Sequence, residues 1–165
     1  MSVYGADRAI LLSDRKFAAS DTLATSYSLF KAIEKLGNFD IVFCGRQAID
    51  GDTAQVGPQV AEKLNINQLT YVFNIVEITK EFIVVKRDIG DGYEIAKSPL
   101  PVLLTISSKA NVPRPPSVKR AMAYKALRAT KENGDGLILL WDHESIGADP
   151  NLCGLKGSKT RVKKS

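Results

Sequence analysis

Two short, continuous apolar runs constrain this chain more than any other feature. Arg8-Ala9-Ile10-Leu11-Leu12 and Ile41-Val42-Phe43-Cys44 lack the alternation of a strand with one wet face. Such runs suit strands covered on both faces by helices, as in parallel sheets. Between them Leu23, Tyr27, Phe30, Ile33 and Leu36 recur at helical spacing. Asp21 reads as the N-cap of that helix and Gly37 as its stop. Strand, helix, strand in this order predicts a parallel βαβ unit.

The rest of the chain extends the pattern. A polar loop with glycines over 45–53 leads to a short amphipathic helix carrying Val56, Val60 and Leu64. Proline fits only the first turn of a helix, so Pro58 places the start between Thr53 and Val56. After Asn67 the period changes. Residues 69–78, 81–89 and 93–96 read as strands joined at Thr79-Lys80 and Gly90-Asp91-Gly92, an antiparallel meander. Val102-Leu103-Leu104-Thr105-Ile106 reads as one more buried strand between Pro101 and a stiff loop with Pro113, Pro115 and Pro116. A basic helix is expected over 118–129, a late strand over 137–141, and a Gly- and Lys-rich arm from 142 onward. The fold class is therefore α/β: a Rossmann-like parallel sheet flanked by helices, an antiparallel β meander and an extended C-terminal arm. The expected division is a domain over 1–141 and the arm over 142–165.

Composition narrows the function classes. At 165 residues with 44% hydrophobic and 25% charged, the chain has the balance of one globular domain. No apolar run approaches the ~20 residues of a membrane span, and the first residues lack a signal peptide's apolar stretch. A cytoplasmic protein with no membrane span is expected. Cys44 and Cys153 read as free thiols, and no CxxC or Cys/His cluster suggests a metal. The net charge of +5 gathers in two basic stretches, over 109–131 and over 156–164. They read as a solvated face and a tail, or as docking sites for an acidic protein. Few aromatics interleave them, so nucleic acid is not the expected partner. His143 is a lone histidine in a polar segment, and no acid, base or nucleophile constellation marks an enzyme.

The informative segment is 45–58. It lies between a parallel strand's C-terminal end and a helix N-terminus, where open α/β sheets bind ligands. Free N–H groups and the helix dipole there favour an anion such as phosphate. Glycines permit close approach of the backbone, and Thr53 and Gln55 add neutral donors. The segment is neither a Walker loop nor a GxGxxG, so a plain strand–helix connection stays open beside phosphate or nucleotide binding. Asp50 and Asp52 argue against a bare phosphate cradle. One can cap the helix, and the other can accept from Arg46 or from a ribose hydroxyl.

These residues also carry a resemblance. Cys44-Gly45-Arg46-Gln47-Ala48-Ile49-Asp50-Gly51-Asp52-Thr53-Ala54-Gln55-Val56-Gly57-Pro58 closely resembles the signature of the electron-transfer flavoprotein beta subunit. Gly5-Ala6-Asp7-Arg8-Ala9-Ile10-Leu11-Leu12-Ser13-Asp14 looks like that family's strand after its early helix. Ala110-Asn111-Val112-Pro113-Arg114 resembles its loop for partner dehydrogenases, and Gly154-Leu155-Lys156-Gly157-Ser158-Lys159-Thr160-Arg161-Val162 its C-terminal arm.

The resemblance implies an electron carrier rather than an enzyme, the beta subunit of a heterodimer with an alpha subunit. FAD would sit on the alpha subunit and take electrons from acyl-CoA dehydrogenases or similar flavoproteins. The beta pocket would hold AMP or, in electron-bifurcating members, a second FAD. The family's phosphate loop maps onto Gly45, Arg46, Gln47, Asp50, Gly51, Asp52, Thr53, Ala54, Gln55 and Val56. Asp52 to Val56 would contact phosphate through backbone N–H groups, the Thr53 hydroxyl and the Gln55 amide, with Asp50 as a cap or ribose contact. Ala110, Asn111, Pro113 and Arg114 would touch the partner. Family members carry a substantial segment ahead of the Gly5-Ala6-Asp7 position. The resemblance therefore implies a sheet short of one inner strand, with two exposed edges. The alternative is a stand-alone adenine-nucleotide-binding module of similar fold.

Overall fold

The computed structural model describes residues 6–125, 129–131 and 138–160. In chain order they form β1 (Ala9–Leu12), α1 (Thr22–Leu36), β2 (Ile41–Gly45), α2 (Val56–Leu64), β3 (Asn67–Ile78), β4 (Phe82–Asp88) and β5 (Tyr93–Pro99). β6 (Val102–Ile106), α3 (Val118–Tyr124), β7 (Thr130–Lys131), β8 (Ile138–Trp141) and α4 (Gly154–Gly157) follow. No helix among the described residues is long and apolar enough to cross a membrane.

The strands make two sheets. One is parallel throughout, in the order β1-β8-β7. The other runs β2-β6-β3-β4-β5, its first three strands parallel and its last three antiparallel, so the meander continues the parallel strands. The α/β class holds, but the expected βαβ pairing does not. β1 pairs with β8, starting at Ala9↔Ile138, and β2 pairs with β6, starting at Ile41↔Val102. Helix α1 instead bridges the sheets. Its Ala32 packs with Ile10, Leu12 and Trp141, while its Ile33 packs with Val42, Val60 and Leu103. Local periodicity names the elements but carries nothing about neighbours distant in sequence. Among the described residues no strand pairs with the second edge of β1 or of β2.

Both ends of α1 follow the sequence. Asp21 Oδ1 accepts the Ala24 N–H at 3.0 Å, and Gly37 ends the helix with φ 73°. Its most buried residues, however, are Ala24, Ser26, Ser28 and Ala32, whereas Leu36 is half exposed. Small side chains let α2 approach, and the Ser26 hydroxyl reaches Gln59 Oε1 at 3.1 Å. α3 forms within the expected basic helix, and 126–128 of that helix lie outside the described residues. The described turns of α3 bury no residue.

The segment 142–160, expected as part of a C-terminal arm, folds back on the body. Ile146, Ala148 and Cys153 are buried with Trp141 and Ala32. The Leu155 N–H reaches Ala18 O at 3.1 Å, and the Lys159 and Thr160 N–H groups reach Asp21 Oδ2 at 2.7 and 3.0 Å. One carboxylate thus caps α1 and fastens the segment. Residues 161–165 of the expected arm lie outside the described residues.

His143 has a structural partner. Asp14 Oδ2 accepts the His143 backbone N–H at 3.1 Å and faces Nδ1 at 2.5 Å, while Oδ1 accepts the Lys16 N–H at 2.9 Å. The Lys16 hydrogen bond, seconded by His143 against the effect of burial, holds the Asp14 carboxyl at about 2, below the ordinary 3.8. A depressed carboxyl stabilises the fold fully above pH 3.8, and this contribution is lost as pH falls through about 2. Asp14→Ala should therefore lower stability by ~1–2 kcal/mol at neutral pH. In urea titrations from pH 7 downward, the gap between variant and parent should close only below the ordinary carboxylate range.

Candidate nucleotide-binding cleft

β2 and β6 are parallel neighbours, with Cys44 opposite Thr105 and Gly45 opposite Ile106. Their C-terminal ends therefore open on the same side. Loop 46–55 leaves one end and segment 107–117 leaves the other. Between them lies an open cleft of about 870 Å³, roomy enough for a mononucleotide. A second hollow of about 690 Å³, near Asp40, Thr79 and Lys80, lies at the opposite end of these strands. Open α/β sheets take ligands at their C-terminal ends, so the first is the candidate.

Of the residues expected from sequence, Gly45, Arg46, Gln47 and Asp52 line the cleft. Asp50, Gly51, Thr53, Ala54, Gln55 and Val56 belong to the same loop and helix start but are not part of its wall. The wall also includes Ser107 and Ser108, which sequence reasoning missed. Their signal was available: they follow the apolar run of β6 as Gly45 and Arg46 follow that of β2. Only the adjacency of those strands was hidden.

The loop is held in a tight course. Asp52 and Ala54 take left-handed backbone conformations, φ 51° and 53°. Such conformations persist where neighbours fix them. The Gln47 amide donates to the Asp52 carboxylate, and the Asp52 N–H donates to Ala48 O at 3.1 Å. Gln55 Oε1 accepts the Thr22 hydroxyl at 3.1 Å, which ties the loop's far end to the first turn of α1.

Neither aspartate caps α2. Asp50 accepts its neighbour Gly51's N–H at 2.9 Å, Asp52 accepts from Gln47 rather than Arg46, and the N-cap Gln55 makes no side-chain bond to the helix. No side chain thus caps the first-turn N–H groups of α2. This turn sits hard against the end of β6, because a Cβ on Gly57 would lie 2.9 Å from Thr105 Cγ2. Pro58, in the first turn, is accommodated as expected.

The chemistry offered is that of an anion site. The Arg46 guanidinium lies at the rim with Tyr71 beneath it, its carbon 5.9 Å from the ring centre. Nearby, the Asp88 carboxyl is held below its ordinary range, first by its hydrogen bond from Lys109 at 2.8 Å and then by the Gly90 N–H. Burial pushes the Cys44 thiol up, away from the thiolate. A cation, neutral donors and an uncapped helix start suit a phosphate and its sugar.

Ala110, Asn111, Pro113 and Arg114 continue the same wall outward. The Ala110 N–H closes a turn onto Ser107 O at 3.0 Å. Beyond it Asn111, Pro113 and Arg114 are exposed and Val112 is 90% exposed. The expected partner loop and the expected phosphate loop thus spring from adjacent strand ends.

Comparison with known proteins gives this geometry a family. The description "Electron transfer flavoprotein domain" matches residues 1–132. The electron transfer flavoprotein subunit beta of Thermoanaerobacterium thermosaccharolyticum is 52% identical over 159 residues, 96% of this chain and 57% of that protein. The subunit of the same name from Clostridium acetobutylicum is 47% identical over 161 residues, 98% of this chain and 58% of that protein. Subunit CarD of the caffeyl-CoA reductase-Etf complex of Acetobacterium woodii is 46% identical over 161 residues, again 98% and 58%. The chain spans a little over half the length of these curated relatives. The matched residues include both strands and both loops that build the cleft, and the chain belongs to the electron transfer flavoprotein domain family.

Proposed function

We propose that this chain is the nucleotide-binding part of an electron-transfer flavoprotein beta subunit, with residues 1–141 as its domain. It pairs with an alpha subunit that holds FAD, and the pair carries electrons between a flavoprotein dehydrogenase, of the acyl-CoA dehydrogenase type, and a redox partner. Its setting is the cytoplasm, where Cys44 and Cys153 remain thiols. The observation that carries the reading is the cleft between the ends of β2 and β6, with Arg46 at its rim and the uncapped start of α2 beside it.

Its occupant is the adenylate of AMP or of a second FAD. The Gly51-Asp52-Thr53-Ala54-Gln55-Val56-Gly57-Pro58 version of the loop, which looks more like prokaryotic members including bifurcating ones, leans to the second flavin. The flavin supplies the redox chemistry, and this chain's residues bind and orient. Backbone N–H groups over 53–56 and the Thr53 hydroxyl approach phosphate, the Asp52 N–H being held by Ala48 O, and Arg46 neutralises it. Ser107 and Ser108 of the wall, with Asp50 of the adjoining loop, offer groups to sugar hydroxyls. The loop of Ala110, Asn111, Pro113 and Arg114 meets the partner, since an exposed proline-stiffened loop loses little entropy on docking.

The test is to co-express the chain with its alpha subunit, purify the complex and count released nucleotides. Two FAD per heterodimer support the bifurcating form, and one FAD with one AMP supports the simple carrier. One FAD alone overturns the beta site, and no complex overturns the heterodimer, leaving AMP binding by the free chain as the mark of a stand-alone module. Arg46→Ala should weaken AMP binding about 10-fold through loss of one charge-assisted contact, measured by calorimetry.

A further inference from the structure

The pairing of β3 with β6 is interrupted at one place. It runs from Asn67↔Val102 to Leu69↔Leu104 and resumes at Val72↔Ile106, so Thr70 and Tyr71 together face Thr105. This is a β-bulge, and its second residue has φ +58°. That region is uncommon for any residue with a Cβ and is an outlier for a bulky aromatic. Strain of this kind persists only where the surroundings over-determine it.

Here they do so from both sides. The Tyr71 N–H donates to Thr105 Oγ1 at 3.0 Å. On the other flank Arg87 Nε donates to Thr70 O at 3.0 Å, and Nη2 donates to Thr70 Oγ1 at 2.8 Å. Arg87 is fixed in turn by Glu94 of β5 at 2.9 Å. Strands β4, β5 and β6 thus hold a conformation that β3 alone would relax. Thr105 is itself buried, its methyl against Gly57 at the start of α2.

Burial does not account for the device. Tyr71 is 37% exposed and belongs to none of the apolar clusters. What it meets is Arg46, a residue of the cleft wall, with the guanidinium over its face. Bulges re-aim side chains beside functional sites, and an aromatic face holds a guanidinium without competing for its N–H donors.

We propose that Tyr71 is a positioning residue of this cleft: the clamped bulge turns its ring beneath Arg46 and holds that guanidinium, donors free, for the phosphate of the bound nucleotide. The proposal rests on the reading of the cleft as a nucleotide site. It adds a residue that the loop over 45–56 does not contain and that touches the ligand only through Arg46.

The test uses the full chain with its alpha subunit, AMP and FAD as probes, and the variants Tyr71→Gly, Tyr71→Ala, Tyr71→Phe, Arg46→Ala and the double variant of Arg46→Ala with Tyr71→Gly. Glycine removes the ring while suiting the positive φ, so the fold is kept even if the alanine variant fails to fold. Tyr71→Gly should weaken AMP binding about 3-fold to 5-fold with no fall in the melting temperature. Tyr71→Phe, which keeps the ring face, should restore the parent affinity. Added to Arg46→Ala, the glycine change should weaken binding no further. Parent affinity in Tyr71→Gly, or effects that multiply in the double variant, overturns the positioning role and leaves the cleft reading standing. A parent complex that takes neither AMP nor a second FAD overturns both.

Discussion

Gly154→Ala should destabilise the chain by about 3–5 kcal/mol, combining a left-handed backbone with a steric collision. Gly154 has φ +55°, and a Cβ there would lie 2.2 Å from Lys16 O and 2.8 Å from Ala18 O. Both obstacles are backbone atoms, so no side chain can swing aside. The substitution would lift α4 from the turn at 15–18, breaking the Leu155 N–H bond to Ala18 O and drawing the Lys159 and Thr160 N–H groups away from Asp21. Gly147→Ala is the matched control, since Gly147 has φ +60° but nothing within 4 Å of its Cβ position. It carries the backbone term alone, about 1–2 kcal/mol. Urea unfolding of both variants separates the terms. Equal losses would mean that segment 142–160 does not seat on the body in this way.

Leu103→Ala should cost about 2–5 kcal/mol, the range for a leucine removed from a packed core. Leu103 is fully buried and packs with Val60 and Ala61 of α2, with Ile33, Val42 and Cys44 around them. Its Cδ2 lies 3.6 Å from the position a Cβ would take on Gly57, beneath the first turn of the helix beside the cleft. Its neighbour Leu104 is equally buried but faces the other way, among Val72, Ile83 and Val85. Leu104→Ala should bring a comparable loss of stability. The two should part in nucleotide binding. Below the unfolding transition, Leu103→Ala should weaken AMP because the seat of α2 is hollowed, whereas Leu104→Ala should bind AMP like the parent. Matching affinities in the two variants would sever the proposed link between that core and the cleft.

Sequence made the local elements legible where the signal itself is local. Asp21 and Gly37 bound α1 because a cap and a stop act within one turn. Pro58 fixed the start of α2 to within a few residues for the same reason. The strand Val102–Ile106 was plain because its burial on both faces is written as an unbroken apolar run. The features that escaped are those in which one residue depends on another far along the chain. The bulge at Tyr71 needs Thr105, 34 residues away, and Arg87, 17 residues from Thr70. Ser107 and Ser108 enter the cleft only because β6, rather than β1, lies beside β2. His143 looked isolated because its carboxylate partner, Asp14, is 129 residues away. The composition of 142–160, rich in glycine and polar residues, hid the few anchors that seat it, chiefly Ile146 and Cys153.

The bridging position of α1 has a consequence for how the molecule comes apart. The cluster around Trp141 and the cluster around Leu103 meet the same helix at successive residues, Ala32 and Ile33. Among the described residues the three-stranded sheet has strands of four, four and two residues and packs on that helix, whereas the five-stranded sheet has a second core of its own behind β6. The amide protons of β1 and β8 should therefore exchange through a lesser opening than those of β6 and β4, which hydrogen exchange measures.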